Sequence, residues 1–106
     1  MSKIQLSETD TNIAQQAFQT AYRRETAALI ANVRDRSATI NELEDLWNLH
    51  DLLSSKRYEI DGKYEFNPAT FVFDCASLVK QKWISLDDLK GLSSEVLSKI
   101  SALTRM

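Results

Sequence analysis

The stretch TINELEDLWNLHDLLSSKRYEIDG, Thr39 to Gly62, decides the fold. Thr39 with Glu42 three residues later has capping-box spacing, which predicts a helix start. Gly62 can take the left-handed conformation that stops a helix, so the helix is expected to run to about Asp61. Between these signals Leu43, Leu46, His50, Leu53, Arg57 and Ile60 recur at alternating spacings of three and four. That is a heptad seam with two polar residues set into it. Trp47, Leu49 and Leu52 lie off the seam, so the helix is apolar on more than one side and must bury more than one side. In a chain of 106 residues the extra surface most simply meets a second copy of the chain. The expectation is a homodimer.

Upstream, a first helix is expected from about Ser7 to Arg36. Ser7 and Asp10 have capping-box spacing, with Asp in place of the usual Glu. Phe18, Ala21, Tyr22, Leu29 and Val33 fall near one face. Ala14, Ala17, Ala21 and Ala28 allow close approach of another helix. Such a helix is roughly 45 Å long at 1.5 Å per residue.

Downstream, Asn67-Pro68 offers an N-cap followed by proline at the first helical position, where its missing N–H costs nothing. Phe71, Val72, Cys75, Ala76, Val79 and Trp83 supply an apolar face. Ser85 with Asp88 predicts another capped turn, with Ile84 and Leu89 as its hydrophobic staple and Gly91 as its stop. Ser93 is expected to cap a last helix with Val96, Leu97, Ile100 and Leu103 facing inward and Leu92 stapled onto Leu97. The fold class read from this pattern is all-α: two long helices forming a dimerisation stem over about residues 7–64, and a small C-terminal helical head over about 67–104, within one domain.

Composition narrows the function. Thirteen Lys and Arg against fifteen Asp and Glu give a net charge of −2, the wrong sign for a protein that works by neutralising phosphates. One Cys and one His exclude a disulfide framework, a Cys-only zinc site and a two-His metal motif. No run of about 18 apolar residues predicts a membrane span, and the opening residues Met1 to Asn12 lack the apolar core of a secretory signal. A reducing, cytoplasmic setting is expected.

Candidate chemistry reduces mostly to structure. A lone His50 in an apolar seam reads as an interface residue rather than a catalyst. Cys75 beside Asp74 reads as an inert core thiol, since a neighbouring acid raises the thiol pKa. Asp87-Asp88 and Glu42-Glu44-Asp45 fall in the first turns of predicted helices, where the helix dipole favours negative charge. Ser85 to Leu103 has a helix-turn-helix outline, but its second helix lacks the basic and amide groups needed to read bases. The informative cluster is Trp47, His50, Asp51 and Arg57, because Trp and Arg dominate binding hot spots. Asp51 and Arg57 are about 240° apart around the helix and cannot pair on it. Asp61 is a local alternative partner for Arg57.

The run from Asp45 to Tyr64, DLWNLHDLLSSKRYEIDGKY, closely resembles the signature of the cyanobacterial fluorescence recovery protein family. Phe18 with Ala21-Tyr22 and Glu25, Phe71-Val72-Phe73, Lys99-Ile100 and Ala102-Leu103 resemble it too. The likeness covers about residues 13–105. It implies a non-enzymatic, cofactor-free regulator of photoprotection with an all-α, dimeric fold. The implied partner is the orange carotenoid protein, bound in its photoactivated red form through its C-terminal domain, returned faster to orange and released from the phycobilisome. The implied setting is cytoplasmic, at the thylakoid periphery near phycobilisomes. Residue by residue, Trp47 matches an aromatic anchor at the dimer or partner surface, with His50, Asp51 and Arg57 as the polar residues around it. Leu46 falls on the dimer seam, and Phe73 and Lys99 are second-site contacts in the head. A generic helical dimerisation or adaptor module with another protein client is the alternative, and a small DNA-binding regulator is a further one.

Overall fold

A computed structural model describes residues 6–106; the part of the opening segment before them lies outside the described residues. The chain is all helical: α1 Glu8–Ser37, α2 Leu43–Ile60, α3 Phe71–Lys80, a 3₁₀ turn Leu86–Leu89 and α4 Ser94–Thr104, with no strand among the described residues. It divides into two compact units. One joins the start of α1, up to Arg23, to Phe66–Met106; the other is Arg24–Glu65.

In the first unit the alanines of α1 do what their size allows. Ala14, Ala17 and Ala21 are buried with Phe18, and Phe66 sets its ring edge-on to Phe18 at 6.2 Å and tilted to Phe71 at 6.0 Å. Helices α3 and α4 pack closely on each other, and Phe71, Leu89, Val96 and Ile100 are fully buried. Each such side chain contributes about 1.5–3 kcal/mol by leaving water. Ile84 and Leu92 are buried too, as their expected stapling positions require.

The expected Ser7–Asp10 box forms: the Asp10 amide donates to Ser7 Oγ at 3.0 Å, and the Ser7 amide to Asp10 Oδ2 at 3.3 Å. Asp10 then does something its spacing did not announce. It is only 2% exposed, and Ser93 at the N-cap of α4 donates to it from its amide at 2.8 Å and its hydroxyl at 3.2 Å. One carboxylate thus closes two helix N-termini 83 residues apart. Burial pushes its pKa up, but the bonds from Ser93 and Ser7 outweigh that and hold it below the usual value.

Several boundaries differ from expectation. Asn67 does not cap α3; its side chain accepts from the Ala69 amide at 2.9 Å in a turn, and the helix waits for Thr70 as its N-cap. Trp83 lies beyond α3 rather than on it. Lys82 adopts φ 68° while its amide donates to Val79 at 3.0 Å and that of Trp83 to Leu78 at 3.0 Å. That is a Schellman stop with lysine where glycine is usual. Gly91, at φ 103°, ends the 3₁₀ turn, and a Cβ there would lie 2.8 Å from Ile13 Cδ1.

In the second unit, Thr39 caps nothing ahead of it, because its hydroxyl donates back to the Arg36 carbonyl at 3.0 Å. The box is built three residues later, with Glu42 as N-cap and Asp45 accepting from the Glu42 amide at 3.1 Å. Both arrangements fit the local spacing, and the one that also closes the last turn of α1 is adopted. Gly62 is left-handed at φ 80°, as the third residue of a turn. Asp61 at φ −60°, ψ 119° and the bond from the Lys63 amide to the Ile60 carbonyl, 3.1 Å, make it a type II turn, which demands a positive φ at that position.

Candidate functional site

Helices α1 and α2 form an αα-hairpin in the second unit. At its closed end Arg36, Thr39 and Ile40 line one small pocket with Asp45, Asn48 and Leu49. Leu49 is the single buried residue of α2. Leu52, Lys56 and Ile60 are half-buried. They share its side, since 3.6 residues per turn places positions 49, 52, 56 and 60 together.

The rest of the helix surface is open. Leu43, Leu46 and Leu53, three seam positions, are exposed, and so is Trp47 at 52%. His50, Asp51 and Arg57 are exposed among them. The structure brings the Trp47 and His50 rings together edge-to-face, centroids 6.4 Å apart at 88°, and His50 Nδ1 lies 3.4 Å from Asp51 Oδ1. So exposed a pair adds little to folding. Arg57 joins neither group and forms no ion pair among the described residues, the expected Asp61 alternative included. Its guanidinium is left to solvent, with all five donors available.

Tyr58 is the residue that sequence reasoning missed. It is 86% exposed and stands eleven residues beyond Trp47, about 20° from it around the helix, so the same face carries two aromatic side chains. The eleven-residue spacing from Trp47 carries that signal in the sequence, off the heptad seam. Phe73 and Lys99 are both exposed, on α3 and α4 of the first unit. There Phe73 points to solvent while its neighbour Val72 is buried.

A second cluster closes the open end of the hairpin. Glu25 on α1 is 4% exposed, and its Oε1 accepts from Lys63 Nζ at 2.7 Å and from the Tyr64 hydroxyl. Burial pushes the Glu25 pKa up, yet the bonds from Lys63 and Tyr64, with Lys63 and Lys56 charge nearby, hold it below the usual value. The Tyr64 hydroxyl is pushed well above its ordinary range by burial and by the anion it serves. Both shifts favour an anionic Glu25 carboxylate beside a neutral Tyr64 hydroxyl. Among the described residues no group of three or more His, Cys, Asp or Glu is placed to hold a metal ion. No helix there is long and apolar enough to cross a membrane.

The comparisons with known proteins agree along nearly the whole chain. Residues 6–104 match the family of the photoprotection regulator fluorescence recovery protein. The fluorescence recovery protein of Synechocystis sp. is 40% identical over 100 residues, 94% of this chain and 92% of that protein. The structure of the Fremyella diplosiphon fluorescence recovery protein superposes with a TM-score of 0.90 at 53% identity, covering 96% of this chain and all of that one. The Synechocystis structure does so with a TM-score of 0.90 at 39% identity and the same coverage. With an all-helical fold and a match across both units, the chain belongs to the fluorescence recovery protein family of photoprotection regulators.

Proposed function

We propose that this chain binds the photoactivated, red form of the orange carotenoid protein through that protein's C-terminal domain, speeds its return to the orange form and promotes its release from the phycobilisome. It would do so without catalytic chemistry of its own, in the cytoplasm at the thylakoid periphery. Family membership supports the reading, and the observation that carries it in this chain is the open face of α2. Trp47 and Tyr58 offer large apolar area at low entropic cost, and Arg57 offers an uncommitted bidentate donor, the composition of a binding hot spot. Leu43, Leu46 and Leu53 form the seam on which a second copy would pair. His50 and Arg57 within that seam, with Trp47 and Asp51 beside it, form the partner-recognising or dimer-ordering group, with Phe73 and Lys99 as second-site contacts in the head.

The physical route is a population shift. A protein that speeds a conformational return must bind the path to the compact form better than the open form it meets. A rigid dimer that holds the partner's separated domains near their compact arrangement reduces the entropic cost of closure. The test is the dark decay of red absorbance of photoconverted orange carotenoid protein. Substoichiometric chain should accelerate it, and Trp47→Ala, Asp51→Ala and Arg57→Ala should each weaken the effect about tenfold at unchanged helix content. A folded chain that leaves the decay unaltered removes the reading.

A further inference from the structure

Helix α2 has an unusual problem for an element that presents a binding face. Over 18 residues it buries only Leu49, so apolar packing fixes its distance from α1 better than its rotation about its own axis. Non-directional contacts tolerate a roll of the helix; hydrogen bonds and ion pairs do not. Glu25 makes directional contacts between α1 and the far end of this hairpin. The type II turn at Asp61-Gly62 delivers two successive donors, Lys63 and Tyr64, to one carboxylate oxygen. Glu25 is buried, and its acceptor is an anion, so the bonds are of the stronger, charge-assisted kind.

We propose that Glu25, Lys63 and Tyr64 form a latch that fixes the roll of α2 on α1, and that Glu25 is thereby a positioning residue for recognition by the exposed face of α2. This rests on the partner reading above. With the latch shut, Leu46, Trp47, His50 and Arg57 face outward together. With it open, only a fraction of chains present that face correctly, and the apparent partner affinity falls by that fraction. A complex once formed is the same complex, so the limiting acceleration does not change.

The experiment compares the full-length chain with Glu25→Gln, Tyr64→Phe and Glu59→Gln. Glu59 makes an exposed ion pair with Lys56 at 3.3 Å on the buried side's flank of α2, so its variant removes the same charge from a carboxylate that bonds neither Lys63 nor Tyr64. Hydrogen–deuterium exchange is read at the Lys63 and Glu65 amides, which bond the Ile60 and Gly62 carbonyls. The decay of red carotenoid protein is read over a range of chain concentrations. Glu25→Gln should speed exchange at both amides about tenfold and raise the half-saturating concentration about fivefold with the limiting rate kept. Tyr64→Phe, which keeps the ion pair, should lie between it and wild type, and Glu59→Gln should match wild type.

Wild-type exchange rates in Glu25→Gln overturn the latch. Faster exchange with an unmoved half-saturating concentration overturns the positioning role, and so does a loss confined to the limiting rate. Should Glu25→Gln fail to fold, Tyr64→Phe carries the same two readouts. Lack of acceleration by the wild-type chain strikes the partner reading instead, which the exchange measurement keeps separate from the latch.

Discussion

Removing the Asp10 carboxylate should unfasten the head at the meeting of two helix starts. Asp10 is 2% exposed and accepts from the Ser7 amide at 3.3 Å, the Ser93 amide at 2.8 Å and the Ser93 hydroxyl at 3.2 Å. In Asp10→Ala the local box is lost, worth about 1 kcal/mol. The Ser93 amide also loses a charged acceptor inside the structure, worth about 2 kcal/mol. The sum, about 3 kcal/mol, is a large part of the stability of so small a unit and predicts a fall in Tm of more than about 10 °C. Asp10→Asn keeps one acceptor oxygen but turns an amide donor toward other donors, and should lose about half as much.

The pH dependence gives a second handle on Asp10. Its pKa is lower folded than its ordinary 3.8, so the unfolded chain binds the proton more readily. The stabilisation is complete above the ordinary value and disappears as pH falls through the lower folded value. The gap between wild type and Asp10→Ala should therefore be constant near neutrality and narrow in acid. Urea unfolding followed by Trp83 fluorescence in a Trp47→Phe background measures it. A loss below about 1 kcal/mol at pH 7, or a gap that persists unchanged at acid pH where the wild type is still folded, refutes the reasoning.

Other consequences of the same structure are open to test. Gly91→Ala should destabilise the head by about 2–3 kcal/mol, from a positive φ and a Cβ 2.8 Å from Ile13, as read by thermal unfolding. Lys82→Gly should raise stability by about 1 kcal/mol by relieving a left-handed lysine at φ 68°; an unchanged Tm would mean that the lysine side chain compensates there. Cys75, fully buried with its thiol pushed up to about 12 by burial and then by Asp74, should react with a thiol reagent at pH 8 at least about a hundredfold more slowly folded than in urea. Comparable rates would show that α3 opens freely.

Capping boxes and punctuation were legible in the chain because they are local. Ser7 with Asp10 and Ser85 with Asp88 bond across three residues, so the spacing alone contains the geometry. Where two local arrangements competed, the sequence could not choose. Thr39–Glu42 and Glu42–Asp45 both satisfy the capping rule, and the hydroxyl of Thr39 went to the preceding helix. Asn67-Pro68 misled for a related reason: the Asn side chain found the Ala69 amide in a turn before a helix could begin. Trp83 carried the right periodicity, and the Schellman stop at Lys82 took it off the helix.

By itself the sequence determined four helices, their order, the small-residue face of α1 and the unmatched apolar seam of α2, all consequences of contacts within a few residues or of a helical period. The exposed group of Trp47, His50, Asp51 and Arg57 was also legible, since residues on one helix keep a fixed angular relation wherever the helix goes. Only the tertiary structure decided that Asp10 would reach Ser93, that Phe66 would bridge Phe18 and Phe71, and that Lys63 and Tyr64 would converge on Glu25. Those pairings join residues between 38 and 83 positions apart or lie across a turn. An acidic side chain at a helix start or on a helix face reads the same whether it meets water or a buried donor. What separates the two is which distant backbone arrives, and that is set by packing the whole chain.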